Sequence, residues 1–104
     1  MNRDFIKENI KLAAFDLDGT ILTKSFITDV TKSTIARLAE SGIGTIVATG
    51  RHVFTLPPAV FDIPSFQIAI GSNGTMIGNI RTKEVYNFDG FDVETALCFL
   101  RWLP

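Results

Sequence analysis

The chain has 104 residues, of which 46% are hydrophobic and 20% charged, and it carries a formal net charge of −1. That length supports one small domain with its own core, and the near-neutral balance without a basic run argues against nucleic acid or an anionic membrane as partner. A single cysteine, Cys98, rules out an internal disulfide, the charged start MNRDFIKENIK has no apolar signal core, and no apolar stretch is long enough to span a bilayer, so a soluble cytoplasmic protein is expected.

Residues 10–16 form a near-continuous apolar run, the pattern of a strand buried on both faces, and Gly19 breaks it. Residues 20–28, TILTKSFIT, are rich in β-branched side chains and suit a short hairpin or flap. An amphipathic helix is predicted over 29–42, with Val30, Ile35, Leu38 and Ala39 approximating one face and Gly42 where a helix C-terminus favours glycine. Residues 43–48 read as a second buried strand, ended by Thr49-Gly50-Arg51. A short helix before Asp62 has to start at Pro57-Pro58, because proline is disfavoured in a helix interior. Residues 66–70 are a third apolar strand, ended by GSNG, and 75–77 with 84–88 look like the arms of an antiparallel hairpin. A last helix is predicted with Asp92 as its N-cap. Its apolar residues Val93, Ala96, Leu97, Phe99, Leu100, Trp102 and Leu103 cover most of its circumference. Such a helix requires burial on more than one side, so partners outside these 104 residues, or self-association through residues 92–104, are expected.

Strand, helix, strand, short helix, strand is the signature of a parallel α/β sheet, in which ligands sit outside the carboxyl ends of the strands. DLDGT, TGR and GSNG all fall at that rim. Alternate residues of an extended chain face the same way, so Asp16 and Asp18 can approach one site with Leu17 turned away. Two close carboxylates push their pKa values apart unless a cation intervenes. With a divalent ion, oxygens here are hard ligands for Mg²⁺; without one, one carboxyl stays protonated as general acid while the other is an ionised nucleophile. Thr49 and Gly50 offer a hydroxyl and backbone N–H groups at a strand-to-helix turn, and Arg51 adds positive charge. Taken alone, TGR fits a capped turn equally well. His52 reads as a surface residue at a helix start. Ser72, Asn73 and Gly74 form a tight turn by composition, for which a purely structural role fits at least as well as ligand contact.

FDLDGT, then VATGR, then IGSNGTMI resemble the N-terminal part of a haloacid dehalogenase (HAD) superfamily phosphatase of the Cof-type, IIB-cap group, over roughly residues 11–86. The resemblance implies the first three strands of a Rossmann-like parallel sheet, with a partial catalytic core at 1–74 and, at 75–104, a connecting hairpin and the first helix of an inserted α+β cap. It implies that Asp16 is the nucleophile that forms an aspartyl-phosphate and that Asp18 protonates the leaving oxygen and then activates water. It further implies that Mg²⁺ is held by the Asp16 carboxylate and the Asp18 carbonyl, and that Thr49, Gly50, Arg51 and Asn73 bind the phosphate of a small phosphorylated metabolite. The family's later motifs, a lysine and an acidic GDxxND-like loop, have no counterpart here: Lys83 is the only lysine after Gly74 and lies within the predicted hairpin. A truncated chain with little or no turnover and weak Mg²⁺ affinity is therefore expected, with one edge of the Asp16 strand open. Two rivals remain. One is a non-catalytic module associating through its apolar helix and strand edge. The other is a response-regulator receiver domain, against which stands the lack of an aspartate ending the second or third strand.

Overall fold

The computed structural model describes residues 8–104; residues 1–7, with most of the charged N-terminal stretch, lie outside the described residues. The elements run β1 (Leu12–Phe15), α1 (Asp29–Glu40), β2 (Gly44–Ala48), a 3-10 turn (Pro58–Asp62), β3 (Ile68–Gly71), β4 (Met76–Asn79), β5 (Val85–Phe88) and α2 (Val93–Trp102). They make one five-stranded sheet in the order β1-β2-β3-β4-β5. The pairings β1–β2 and β2–β3 are parallel, whereas β3–β4 and β4–β5 are antiparallel. The expected α/β sheet is present, and the predicted hairpin continues it as two further strands.

The core is built from Leu17, Leu22, Ile27, Ile35, Val47, Val53, Val60, Ile63, Phe66, Ala69 and Ile80. Leu17, turned away between the two aspartates, is fully buried, so apolar packing fixes which way the acidic loop faces. Leu22 and Ile27 pin residues 20–28 to this core, where a single antiparallel bridge, Thr23 to Phe26, closes a tight turn.

Helix α1 starts where Thr28 Oγ1 accepts the Thr31 N–H, and it ends at Gly42, whose φ of +85° lets its N–H donate to the Ala39 carbonyl. Ile35 is its buried residue and Leu38 and Ala39 are half-buried, but Val30 is 76% exposed. Val30 lies in the first turn and points to solvent, which corrects its predicted place on the core face. The short helix before Asp62 starts at the prolines as predicted and is a single 3-10 turn.

Two strands are less buried than their apolar composition suggests. β1 alternates exposed and half-buried residues, with Leu12 55% exposed, instead of being covered on both faces. It stands at the sheet edge and, among the described residues, pairs with β2 alone. In β2, Thr45 and Val47 are buried while Ile46 and Ala48 on the other face are half-buried. β5 and α2 contain no buried residue. Among the described residues, no helix is long and apolar enough to cross a membrane.

Arg81 ties the far end of the sheet together. Asn79 Oδ1 accepts the N–H groups of Arg81 and Thr82, shaping the β4–β5 turn. The Arg81 guanidinium then donates to the carbonyls of Phe61, Ile63 and Phe66 at 3.2, 2.9 and 3.1 Å and lies 5.2 Å over the Phe61 ring. The Phe61 carbonyl belongs to the 3-10 turn, and those of Ile63 and Phe66 to the segment that leads from it into β3. Arg81→Ala is expected to lower stability by about 1–3 kcal/mol, read as a lower urea midpoint with an unchanged denaturant slope.

Candidate active site

The carboxyl ends of β1, β2 and β3 open on one cleft of about 270 Å³, lined by Asp16, Ala48, Thr49, Gly50, Ile70, Asn73 and Gly74. Of the residues singled out in the sequence, Asp16, Thr49, Gly50 and Asn73 meet there. Asp18 and Arg51 do not line it; they face each other beside it.

Asp16 follows β1 directly, and its Oδ2 accepts the Thr20 hydroxyl at 2.9 Å. The Leu17 carbonyl accepts both the Thr20 and Leu22 N–H groups, and Gly19, at φ +77°, lets the chain reverse. Thr20 therefore orients the acid at the head of the cleft. Sequence reasoning assigned it no role, although its signal was present: a hydroxyl residue immediately after the Asp-Leu-Asp-Gly turn.

The loops after β2 and β3 are stitched together past the ends of their strands. Thr49 N–H donates to the Ile70 carbonyl, Asn73 N–H to the Thr49 carbonyl and Ser72 N–H to the Arg51 carbonyl. Thr49 is buried, and its Oγ1 accepts the Arg51 N–H at 3.1 Å. The hydroxyl proton remains available to donate into the cleft. Gly50 leaves room for Asn73: a Cβ at position 50 would stand 2.9 Å from Asn73 Oδ1. Ser72 and Asn73 both adopt left-handed conformations, at φ 49° and 55°. Each costs on the order of 1 kcal/mol, offset by the bonds from Ser72 N–H to Arg51 and from Thr75 N–H and Oγ1 to the Ser72 carbonyl.

Arg51 was expected to bind phosphate. In the structure its Nε and Nη2 grip the two Asp18 oxygens, each at 2.8 Å. These hydrogen bonds, reinforced by the guanidinium charge, hold the Asp18 carboxyl below its ordinary range. The pair is open to solvent, so its effect on stability is small. Its sign is still fixed: a lowered carboxylate pKa stabilises the fold above the unfolded-state value, and that contribution fades as pH falls through the folded value. In a carbon-13 NMR titration Asp18 is expected to titrate below the ordinary aspartate range, and Arg51→Gln to bring it back up. His52 is exposed, as expected, but no helix begins there. Its Nδ1 accepts the Phe54 N–H in a turn.

For a metal ion, the rim offers the Asp16 carboxylate and the Asp18 carbonyl, oxygens of the hard type that Mg²⁺ prefers. Among the described residues, no group of three or more His, Cys, Asp or Glu side chains could hold an ion. The donor chemistry fits Mg²⁺.

The fold and site define an α/β protein that collects an oriented carboxylate, a buried threonine hydroxyl and an asparagine at the carboxyl ends of successive parallel strands. The family model for haloacid dehalogenase-like hydrolases matches residues 13–104, and the chain belongs to that family, within its Cof-type group. An HMP-PP phosphatase of Klebsiella pneumoniae is 36% identical over 80 residues, covering 76% of this chain and 29% of its own length. An HMP-PP phosphatase of Escherichia fergusonii is 33% identical over 94 residues, covering 88% and 35%. A haloacid dehalogenase-like hydrolase from B. subtilis superposes with a TM-score of 0.75 at 26% identity, over 89% of this chain and 33% of that one. The phosphatase BT1666 of Bacteroides thetaiotaomicron gives a TM-score of 0.80 at 21% identity, a likeness of fold. The chain spans about a third of the length of the curated relatives it matches.

Proposed function

We propose that this chain carries one half of the active site of a cytoplasmic, Mg²⁺-dependent phosphatase for small phosphate esters, working through an aspartyl-phosphate on Asp16. The observation that carries this reading is the shared cleft of Asp16, Thr49, Gly50 and Asn73 at three strand ends. Family membership and the HMP-PP phosphatase relatives support the reaction class. Residues 1–74 contribute the catalytic rim, and residues 75–104 lead through the β4–β5 hairpin into a cap.

Asp16, oriented by Thr20, attacks phosphorus, and the ester oxygen departs. Thr49 Oγ1, the Gly50 backbone N–H and the Asn73 side-chain amide donate to the phosphoryl oxygens, because charge placement dominates phosphoryl transfer. A bound Mg²⁺ supplies neutralisation of phosphate and carboxylate charge. Asp18 protonates the leaving oxygen and afterwards takes a proton from the water that hydrolyses the phospho-enzyme. In the resting pair with Arg51 it is ionised and cannot act as an acid. An arriving phosphate dianion competes for the guanidinium, frees the Asp18 carboxyl and raises its proton affinity. Arg51 thus serves both groups in turn, which reconciles its expected phosphate role with the observed pair.

With few metal donors and an open β1 edge, the chain alone is expected to show little turnover of p-nitrophenyl phosphate. Binding tests the site directly. Titration with inorganic phosphate and Mg²⁺, followed by nitrogen-15 NMR, is expected to shift the amides of Thr49, Gly50 and Asn73 first. Shifts spread evenly over the surface, or none at tens of millimolar, would overturn the assignment.

A further inference from the structure

The main chain of Arg51 is held on both sides: its N–H donates to Thr49 Oγ1, and its carbonyl accepts the Ser72 N–H at 2.8 Å. A further anchor lies two residues on. Val53 is fully buried, although it belongs to neither a helix nor a strand. The register of β3 and β4 puts Ala69, Gly71, Met76 and Gly78 on one face of the sheet. The two glycines leave a socket in that face, and Val53 fills it. A Cβ at position 71 would stand 2.5 Å from Val53 Cγ1, and one at position 78 would stand 3.4 Å from Val53 Cγ2. Phe54 follows Val53 onto the same seat, with the Lys83 Nζ of the β4–β5 turn 5.2 Å from its ring centroid. Between this plug and the arginine, His52 closes the turn: its carbonyl accepts the Thr55 N–H and its Nδ1 accepts the Phe54 N–H.

We propose that Val53 is a positioning residue for phosphate recognition: seated in the Gly71–Gly78 socket, it fixes the Arg51 main chain, so that the guanidinium passes from Asp18 to phosphate by side-chain rotation alone. The inference rests on the phosphate role proposed above for Arg51 and deepens it. A branched side chain is what the socket requires. Each methyl group of Val53 reaches a different glycine, and alanine has neither. Packing against backbone leaves such a plug one position, because the atoms around it cannot rotate away. Without the plug, residues 51–54 gain backbone freedom, and phosphate binding has to order them again. Ordering the backbone of one residue is worth about tenfold in affinity. The socket therefore meets that cost during folding, before the ligand arrives.

The test compares Val53→Ala with Val60→Ala in the 104-residue chain. Val60 is equally buried but sits in the 3-10 turn, outside the arginine loop, so the same truncation removes the same atoms from the core there. Inorganic phosphate with Mg²⁺ is titrated and followed by nitrogen-15 NMR. Exchange of the Ser72 N–H, which bonds the Arg51 carbonyl, is measured without phosphate, and circular dichroism checks that each variant is folded. Val53→Ala is expected to weaken phosphate binding about tenfold and to speed Ser72 exchange by a similar factor. Val60→Ala is expected to leave both unchanged. Val53→Thr, which keeps the branched shape while burying a hydroxyl, is expected to bind phosphate as the wild type does. Unchanged affinity in Val53→Ala, an equal loss in Val60→Ala, or a Val53→Thr variant as weak as Val53→Ala would each overturn the proposal. A wild-type chain that binds no phosphate would overturn the phosphatase reading instead, and Ser72 exchange would then decide whether Val53 holds the loop.

Discussion

Gly71→Ala is expected to destabilise the chain by about 3 kcal/mol and to spread apart the two loops that carry Thr49 and Asn73. A Cβ at position 71 would stand 2.5 Å from Val53 Cγ1, 2.7 Å from the Arg51 carbonyl oxygen and 3.0 Å from the Val53 nitrogen. Val53 is fully buried and cannot swing away, and the other two atoms are backbone. The conformation itself is no obstacle, since φ at Gly71 is −123°. There alanine would gain about 0.4–1 kcal/mol by restricting the unfolded chain, so the outcome measures the clash against a small opposing gain, and the clash wins. Relief requires β3 to move away from residues 51–53, which pulls on the bond from Ser72 N–H to the Arg51 carbonyl next door. Gly19→Ala is the control. Its φ is +77°, yet a Cβ there meets nothing within 4 Å, so only the left-handed backbone penalty of about 1–2 kcal/mol applies. Urea titrations of the two variants should rank Gly71→Ala clearly below Gly19→Ala. Equal midpoints would show that the strand end yields more easily than the packing indicates.

The same residues show which features a sequence exposes. Strand ends were readable because an apolar run stopping at Asp16, Thr49 or Ser72 is a local signal, and so were the terminators of α1 and the cap of α2, since Gly42 and Asp92 act within a turn of themselves. The paired arms of β4 and β5 were readable from two short runs about a turn. The partner of Arg51 was not, because Asp18 lies 33 residues away and only the sheet register brings them together. Arg81 was missed for the same reason: the carbonyls it serves are 15 to 20 residues upstream. Burial misled in β1 and at Val30, whereas α2 was expected to lack cover within these residues and has no buried residue. Apolarity states what a side chain prefers to be covered by, whereas coverage depends on which elements are present to supply it. β1 at a sheet edge and α2 with no residue buried record that difference.

Asp16→Asn is expected to abolish the way Mg²⁺ and phosphate strengthen one another's binding. In the wild-type chain a phosphate dianion entering the cleft meets the ionised carboxylate at short range. At an effective dielectric between that of a protein surface and that of water, this repulsion amounts to about 1–3 kcal/mol. Mg²⁺ bound to the same carboxylate removes it, so the ion should tighten phosphate binding by roughly tenfold or more. By linkage, phosphate should tighten Mg²⁺ binding by the same factor. Asparagine keeps the shape and can still accept the Thr20 hydroxyl through its carbonyl oxygen, but it carries no charge. Without metal, the variant should therefore bind phosphate more tightly than the wild type does without metal, and adding Mg²⁺ should change little. The fold should survive, because Asp16 is exposed and its one side-chain bond is kept. NMR titrations of both proteins, with and without Mg²⁺, give the four affinities that close the cycle. Should Mg²⁺ help the variant as much as the wild type, Asp16 does not hold the ion. Should the variant bind metal-free phosphate more weakly, the carboxylate does not face the phosphate. Either outcome would remove Asp16 from the role on which the proposed chemistry rests, while leaving Thr49, Gly50 and Asn73 where the strand ends put them.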